Sequence, residues 1–385
     1  MPNLADKALC SGCGACYLTC SRGAIALRPN SEGFVFPTVN PALCVECGRC
    51  EKVCPINTKH KDARPMACYA AYTKDVELRK VSSSGGVFSE LAKLVFDCGG
   101  CVFGCVFDPE TLDVRHAKVQ KASELTLMRG SKYVQSNLGD IFCEVKKECI
   151  KGRKVLFSGT PCQISGLKSF LGKDYDNLLT IGLICHGVPS RELLMKRLRA
   201  ISCGNGNLEA LTFRSKRIEW RRFSFEVVYK SGQKYAEEQS RDVFMRLFNG
   251  DVAHRLSCYN CASRSGRSGA DILIGDFWGV EYELPEMDYK GGVSAVLLYS
   301  PKGAAVFSRL DLVSQEVPFS SIARYNKNIQ NDPILTWRRK WFYQLLKWLP
   351  IGLLCVLVDM THFRYWKWVA YRTCKPVIAL LRRCS

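Results

Sequence analysis

The feature that most constrains this chain is a cysteine spacing that occurs twice near its N-terminus. The first set is Cys10-x2-Cys13-x2-Cys16-x3-Cys20, and the second is Cys44-x2-Cys47-x2-Cys50-x3-Cys54, followed by Pro55. In proteins that bind two 4Fe–4S clusters in this way, three closely spaced cysteines hold one cluster and the fourth reaches the other. The pattern therefore assigns one cluster to Cys10, Cys13, Cys16 and Cys54, and the other to Cys20, Cys44, Cys47 and Cys50.

Zinc knuckles or a disulfide framework are the alternative interpretation of these eight cysteines. The ligands of a structural zinc site usually occur as two separated pairs in the sequence. Here each set instead has three closely spaced cysteines followed by a fourth, which fits that pattern poorly. Gly12, Gly14 and Gly48 lie between the cysteines, where the backbone has to turn tightly. Ser21 follows Cys20 where proline is usual, but proline shapes the turn and binds no iron. We expect residues 1–58 to form a two-cluster domain with an α+β, ferredoxin-like fold.

The number of cysteines also indicates the cellular compartment of the protein. The chain has 22 cysteines, and its first ten residues have neither the basic n-region nor the apolar h-region of a secretory signal. Outside an oxidising compartment, cysteines are thiols and metal ligands rather than disulfides. These observations predict a cytoplasmic protein.

The formal net charge of +19 is concentrated toward the C-terminus. Residues 336–385 contain ten Lys or Arg against one acid, Asp359, and five of the seven Trp residues. A basic protein is first considered as a binder of nucleic acid. Trp and Leu among basic residues are more typical of a segment that binds an anionic lipid surface, so we predict no nucleic-acid partner. The apolar stretch from Trp348 to Val358 is too short to cross a membrane. We expect a helical tail with peripheral contact at the inner face of the membrane, or alternatively one that covers the rest of the chain or a partner.

Between these ends, residues 66–330 are predicted to form a larger α/β domain with a mixed sheet. Short apolar runs at 154–157, 178–185, 271–274 and 293–299 are bounded by Gly or Pro and predict buried strands. Val87, Leu91, Leu94 and Val95 form a helical stripe, and Ser190 is placed to cap a second helix. Alternating strands and helices put the connecting loops at one end of the sheet.

Four loops at the ends of these elements contain the candidate binding residues. Residues 82–86 (SSSGG) precede a helix, where free N–H groups bind phosphate, although ordinary capping is the alternative. Residues 129–136 combine basic side chains, hydroxyl groups and one aromatic ring. An ordinary surface loop is the alternative interpretation of this composition. Residues 159–163 and 185–190 each follow a strand, where α/β sheets place their sites. Cys162 or Cys185 with His186 as base would form a thiol nucleophile, whereas inert buried cysteine is the more common role.

Two further groups of residues remain. Cys162, Cys185, Cys258 and Cys261 have the count for a third metal site, although a single CxxC pair is weak evidence. The basic run at 214–222 is interleaved with aromatic residues. We interpret it as the solvated face of a strand pair, with an anionic ligand or a partner as the second interpretation.

Seven segments, in this order, resemble the family of coenzyme F420 hydrogenase and dehydrogenase beta subunits. They are SSSGGVFSELA, GGCVFGCVFD, RGSKYVQS, VLFSGTPCQISGLK, ICHGVPS, SCYNCA and DILIGDFWG. The resemblance covers roughly residues 1–310, although only part of the family has the N-terminal two-cluster domain. It implies an iron–sulfur flavoprotein that moves electrons between a reduced carrier and another redox partner.

The resemblance also implies where the cofactors bind. FAD, with FMN as the alternative, would lie across three loops and contact Ser83, Ser84, Gly85, Gly86, Ser131, Lys132, Tyr133, Gln135, Gly159, Thr160 and Gln163. A 4Fe–4S cluster of the family core would be held by cysteines among Cys162, Cys185, Cys258 and Cys261. Of the residues near these loops, His186 is the expected proton donor, because a histidine pKa is readily tuned to neutral pH.

The sequence thus predicts an oxidoreductase. Two ferredoxin-type clusters would exchange electrons with a flavin that reduces or oxidises an organic substrate or a deazaflavin, with a redox partner protein or reduced carrier as the source or acceptor. A non-catalytic electron-relay subunit of a larger complex is the main alternative.

Overall fold

The structure is a computed structural model that describes residues 2–58, 62–202 and 206–360. Two helices and one antiparallel hairpin make up the N-terminal part. They are α1 (Ala15–Thr19), β1 (Ile25–Pro29), β2 (Val35–Val39) and α2 (Arg49–Lys52). Each helix follows a glycine in the left-handed region, Gly14 at φ 77° and Gly48 at φ 69°. These glycines are equivalent positions of the repeated spacing, so the repeat has the same local structure twice.

An eight-stranded mixed sheet forms the centre of the molecule. In spatial order its strands are β13 (Leu312–Glu316), β3 (Ala67–Thr73), β12 (Ser294–Leu298), β11 (Ile272–Asp276), β7 (Leu178–Leu183), β6 (Val155–Gly159), β4 (Cys101–Asp108) and β5 (Asp113–Val119). The four neighbours β11, β7, β6 and β4 are parallel, and the other pairs are antiparallel. The carboxyl ends of the parallel strands therefore meet at one edge, where α/β proteins place their sites.

Helices connect and cover these strands. In chain order they are α3 (Val76–Val81), α4 (Val87–Asp97), α5 (Ile141–Ile150), α6 (Pro161–Leu171), α7 (Arg191–Ile201), α8 (Val243–Asn249), α9 (Val280–Glu283), α10 (Pro301–Phe307), α11 (Phe319–Tyr325), α12 (Lys327–Gln330), α13 (Trp337–Leu345) and α14 (Ile351–Met360).

The elements predicted in this region are present. Each of the four apolar runs is a strand of the large sheet. Val87, Leu91 and Val95 are buried on α4, and the Ser190 hydroxyl accepts a hydrogen bond from the Leu193 amide at the start of α7. A mixed α/β fold is confirmed.

A separate three-stranded antiparallel sheet corrects the interpretation of the basic run. Its strands, in spatial order, are β10 (Lys234–Glu238), β9 (Ser224–Tyr229) and β8 (Leu208–Ser215). Arg214 is only 5% exposed and forms an ion pair with Asp276 of the large sheet, and Trp220 is buried beside it. This part of the run is therefore not a solvated face, because it packs against the edge of the large sheet.

The described part of the C-terminal tail packs on the rest of the chain with one face only. Seven of its side chains are buried in a core shared with α7, α8 and the small sheet: Phe342, Tyr343, Leu346, Ile351, Leu354, Cys355 and Val358. Leu353, Val356 and Met360 lie on the opposite, exposed side of α14, and Trp348 just before it is 80% exposed. Residues 361–385, with Trp366 and Trp368, lie outside the described residues. None of the helices in the described ranges is long and apolar enough to cross a membrane.

Candidate functional site

The eight N-terminal cysteines surround two separate cavities. One cavity is lined by Cys10, Cys13, Cys16 and Cys54. The other is lined by Cys20, Cys44, Cys47 and Cys50. These are the two groups that the spacing predicts, including the exchange of the fourth cysteine of each set. Burial, together with the nearby Cys10 and Cys54, raises the pKa of Cys16 to about 12, so that a bound metal has to displace thiol protons.

A third group of cysteines faces a cavity at the carboxyl edge of the large sheet. Cys162 lies in the first turn of α6, Cys185 follows β7, and Cys258 and Cys261 come from a short 3-10 segment; all four line a space of about 640 Å³, including its part open to solvent. Arg264 donates hydrogen bonds to the carbonyl oxygens of Cys185 and Cys258 at 2.9 and 3.4 Å, which holds the two segments together. Their assignment to one cluster stays a prediction.

The spacing of all twelve cysteines disfavours the zinc alternative. Sulfur atoms around one zinc lie no more than about 4.6 Å apart, since each Zn–S bond is about 2.3 Å long. Within the described ranges, no three of these cysteines bring their sulfur atoms within 4.8 Å of one another, and the one such group of potential ligands is His186, Asp251 and His254.

Both ring nitrogens of His186 have hydrogen-bond partners other than a thiol. Its Nε2 atom lies 2.6 Å from Oδ1 of Asp251, and its Nδ1 atom lies 2.7 Å from the side-chain amide of Asn328. Burial raises the pKa of Cys185 to about 12. A nucleophilic Cys185–His186 pair is therefore not supported, because the thiol stays protonated and the imidazole is engaged elsewhere.

A larger cleft lies where three of the predicted loops meet. It encloses about 1230 Å³, including its part open to solvent. Nine of the predicted binding residues line it: Ser83, Ser84, Gly86, Ser131, Lys132, Gln135, Gly159, Thr160 and Gln163. Two loops are joined directly, since the Ser131 amide donates a 2.8 Å hydrogen bond to Oγ of Ser83.

The amino end of α4 forms one side of this cleft. Val87 and Phe88, in the first turn of the 11-residue helix, line it. Gly86 has φ +87°, and a Cβ atom there would lie 2.8 Å from the Thr73 side chain, so the turn requires glycine. Arg129 and Lys132 also line the cleft, and burial lowers the pKa of Lys132 to about 8. Helix N–H groups and two cations at one place favour an anionic group.

A hydrogen-bonded chain forms the opposite side and includes a residue that the sequence analysis missed. The Gln163 amide donates to Oγ of Ser136 at 2.8 Å, and this hydroxyl lies 3.1 Å from Nδ1 of His116. Nε2 of His116 lies 3.0 Å from the Ser158 carbonyl oxygen, so Nε2 carries the proton. Burial lowers the pKa of His116 to about 4 and keeps the ring neutral. The sequence gave no indication of this role, because His116 lies in a strand that contains no recognisable motif.

Arg214 and Asp276 are further lining residues that the sequence analysis did not select. Asp276, at the end of β11, pairs with Arg214 and accepts a 2.9 Å hydrogen bond from the Trp220 indole. Nε of Arg214 is buried and has no hydrogen-bond partner in the described structure. An unsatisfied donor at a cleft wall is suited to a ligand acceptor. The DFWG sequence at the end of β11 was the available signal for Asp276.

Three predicted site residues lie elsewhere. The Tyr133 ring stacks on Phe248 at 4.5 Å, so it is not available as a stacking surface for a ligand in the cleft. Gly85 does not line the cleft, and its amide donates a hydrogen bond to Oγ of Ser294. His186 does not line the cleft. His116 is the histidine that does.

The three neighbouring cavities share lining residues. Ser11 lines the cleft, the third cysteine cavity and the cavity of the Cys10 set. Cys162 lines both the cleft and the third cavity. A Cβ atom on Gly166 of α6 would lie 2.9 Å from Sγ of Cys13, so the two cysteine groups are separated by little more than one helix.

Comparisons with known proteins give a family match for each of two parts of the chain. Residues 152–316 match the family described as the C terminus of the coenzyme F420 hydrogenase/dehydrogenase beta subunit, and residues 9–58 match the 4Fe-4S dicluster domain. Residues 152–316 are therefore similar to the C-terminal region of the coenzyme F420 hydrogenase and dehydrogenase beta subunits. The N-terminal part of the chain is a 4Fe–4S dicluster domain, and the role of the chain is a redox role that involves electron transfer.

Relatives within or near this family differ in how much of their length the chain spans. An uncharacterised protein of Methanocaldococcus jannaschii is 24% identical over 86% of this chain and 92% of its own length. The F subunit of the F(420)H(2) dehydrogenase of Methanosarcina mazei is 23% identical over 46% of this chain and 53% of its own length. The coenzyme F420-dependent sulfite reductase of Methanocaldococcus jannaschii is 27% identical over 52% of this chain, which spans only 31% of that relative.

One solved structure is also similar. A chain of the F420-reducing [NiFe] hydrogenase complex of Methanosarcina barkeri matches with a TM-score of 0.44 and 16% identity, over 74% of this chain and 88% of that one.

Proposed function

We propose that this chain is an iron–sulfur flavoprotein oxidoreductase that passes electrons between its N-terminal clusters and a FAD in the large cleft. The observation that supports this most directly is the contiguity of the cavities: Ser11 borders the Cys10 set, the third cysteine group and the cleft. A flavin exchanges one or two electrons and the clusters exchange one at a time, so such a site joins single-electron carriers to two-electron chemistry.

The chemistry of the lining residues fits a dinucleotide flavin. The first turn of α4 supplies N–H donors for a diphosphate, and Arg129 and Lys132 supply positive charge beside it. Apolar side chains such as Met128 and Val188 also line the cleft and suit a ring system. Arg214, whose buried Nε atom has no hydrogen-bond partner in the described structure, also lines the cleft.

The chain's own residues would hold the ring in a fixed place. The Gln163 amide is oriented from both ends, because its Oε1 accepts from the Thr160 amide at 2.9 Å and its Nε2 donates to Ser136. Gly159, Thr160 and Gln163 then present fixed polar groups at the carboxyl end of β6. His116 keeps a neutral, Nε2-protonated ring behind them through Ser136. We therefore expect the Gln163–Ser136–His116 chain to orient neutral polar groups next to the flavin rather than to supply a proton, because His116 has a pKa of about 4 and an amide does not ionise.

The third cysteine group would hold another 4Fe–4S cluster beside the cleft. Cys162 borders both spaces, and Cys185, Cys258 and Cys261 complete four ligands.

The substrate is proposed only as a class: a small organic molecule or a deazaflavin such as coenzyme F420, with a redox protein or reduced carrier at the other end. A non-catalytic electron-relay subunit is the second candidate, because one relative is named as a subunit of a dehydrogenase. The isolated chain separates the two. An enzyme turns over a substrate by itself, whereas a relay reacts only with artificial dyes until its partner is added.

The tail adds a proposed contact with an anionic membrane surface. Trp348, Leu353 and Val356 are exposed on the side of the tail that faces away from the core, and the tail is strongly basic. Tryptophan at headgroup depth with Lys and Arg at the phosphates is the arrangement of an interfacial anchor.

Blocking the cleft tests the flavin proposal. Ser83→Trp places a large ring where Oγ of Ser83 now meets the Ser131 amide, and we expect flavin per chain to fall at least tenfold while the N-terminal clusters remain. Ser308→Trp, at the exposed position directly after α10, is the control and should keep its flavin. Full flavin binding in Ser83→Trp would exclude this cleft as the site.

A further inference from the structure

One buried arginine lacks the partner that every comparable arginine has. Among the described residues six arginine side chains are buried, and five of them form ion pairs: Arg79 with Asp288, Arg197 with Asp242, Arg214 with Asp276, Arg264 with Asp332 and Arg339 with Glu32. The sixth, Arg255, is 1% exposed. No carboxylate of the described residues lies within ion-pair distance of it.

Arg255 is nevertheless held firmly, at the junction between the first cysteine set and the cleft. Nε donates to the Cys10 carbonyl oxygen at 2.7 Å, and Nη2 donates to the Val35 carbonyl oxygen at 3.0 Å and lies 3.9 Å from Sγ of Cys10. Nη1 donates to Oε1 of Gln135 at 2.9 Å, and the guanidinium lies 4.1 Å above the Phe36 ring. Every acceptor apart from the sulfur is a neutral oxygen.

A buried cation without a counter-charge is strongly unfavourable, since neutral hydrogen bonds do not replace the lost hydration of a full charge. The adjacent atom that becomes anionic when metal binds is Sγ of Cys10, because metal ligation requires the thiolate. A thiolate-ligated iron–sulfur centre at Cys10 would supply the counter-charge that Arg255 lacks, and Cys258 and Cys162 of the third cysteine group are the next thiols that act on this charge.

We propose that Arg255 is a positioning and electrostatic residue that raises the reduction potential of the cluster held by Cys10, Cys13, Cys16 and Cys54, relative to the other N-terminal cluster. This inference rests on the cluster assignment in the proposed function. Reduction adds negative charge, and a nearby cation in a buried, low-dielectric site stabilises the reduced form. The cavity of the second cluster is bordered instead by Arg22 and Arg49, which are both exposed and screened by water.

The hydrogen bond from Arg255 to Gln135 connects the cluster of the Cys10 set to the cleft. Nε2 of Gln135 donates to the Ser11 carbonyl oxygen at 3.2 Å, and both residues line the cleft. Arg255 thus favours an electron at the cluster next to the cleft over the more distant one.

The test is a redox titration of the anaerobically purified full chain, followed by electron paramagnetic resonance. In Arg255→Gln we expect one N-terminal cluster to shift to a lower potential by at least ~59 mV, a tenfold change in a one-electron equilibrium. The other N-terminal cluster is the internal reference and should not move. Arg255→Lys keeps the charge and should stay closer to the wild type, and Arg22→Gln removes an exposed charge and should shift its cluster much less.

If Arg255→Gln loses its iron, a second variant still tests the inference. Gln135→Glu keeps the arginine but places a carboxylate against Nη1, so it should lower the same potential. Unchanged potentials in fully loaded Arg255→Gln or Gln135→Glu would overturn the inference, and so would equal shifts in Arg255→Lys and Arg255→Gln. Absence of flavin would refute the proposed function but leave this titration readable, so the two failures are distinguishable.

Discussion

At the scale of single residues, the repeat shows which glycine is required by its surroundings. Gly12 has φ +69°, and the equivalent position of the second set is Glu46 at φ 52°. Both backbones are left-handed, yet only the first position excludes a side chain. A Cβ on Gly12 would lie 2.8 Å from Nε2 of Gln135 and 3.0 Å from Nη1 of Arg255. The contact of the dicluster domain with the cleft, rather than the turn alone, therefore requires glycine.

This difference gives a paired prediction. Gly12→Ala should displace Gln135 or Arg255 and lower the iron bound by the Cys10 set, with a cost of roughly 1–3 kcal/mol in stability from strain and lost hydrogen bonds. Glu46→Ala, at the equivalent position, should keep both clusters. Iron per chain and the resonance signal of each cluster measure the outcome, and equal iron loss in both variants would contradict this explanation.

His116 gives the site a pH dependence. Its pKa is about 4 in the folded chain and about 6.5 in an unfolded one, because burial disfavours the charged ring. The unfolded state then takes up a proton first, so this contribution to stability is complete above pH 6.5 and is lost as the pH falls toward 4. Between about pH 7 and about pH 5 the wild type should lose about 2 kcal/mol through this group. His116→Gln should lack that loss in urea unfolding, and the same pH slope in both proteins would exclude the assignment.

At the scale of elements, local sequence patterns were enough for several strands and helices but not for their contacts. The apolar runs and the Ser190 cap predict β6, β7, β11, β12 and α7, since the necessary information is in neighbouring residues. The burial of Arg214 depends on Asp276, 62 residues further along the chain, and no local pattern indicates it. The same holds for Tyr133, whose ring is occupied by Phe248. The grouping of the eight N-terminal cysteines was predictable because their repeated spacing encodes two sets, whereas no local spacing encodes the convergence of Cys162 and Cys185 with the CxxC pair.

The proposed membrane contact of the tail is better tested by substitution than by truncation. Truncation at 335 would remove Phe342, Leu354 and other side chains of the core, so it tests folding as well as lipid binding. Replacing Trp348, Leu353 and Val356 by serine changes only the exposed side. We expect this variant to bind anionic vesicles at least tenfold more weakly in flotation, because apolar insertion supplies most of the binding free energy.

A matched triple replacement controls for the loss of exposed apolar surface in general. Serine at the exposed Val76, Val81 and Leu127, which lie outside the tail, should leave flotation unaffected. Undiminished flotation of the tail variant would exclude the anchor.

At the scale of the whole molecule, the dicluster domain and the α/β region form a continuous unit. Arg255 and Gln135 hold the loop that contains Cys10 and Ser11, and Gly166 of α6 lies against Cys13. These contacts place the three cysteine groups and the cleft next to one another, which is the arrangement that electron transfer over short distances requires.

The central claim, a flavin adjacent to a cluster held by the third cysteine group, is tested most directly by iron and flavin content. The account predicts one flavin and about twelve iron atoms per anaerobically purified chain, from three four-iron clusters. The Cys258→Ser/Cys261→Ser double variant should lose about four iron atoms and keep its flavin. Absence of flavin from the wild type, or unchanged iron in the folded double variant, would contradict the account.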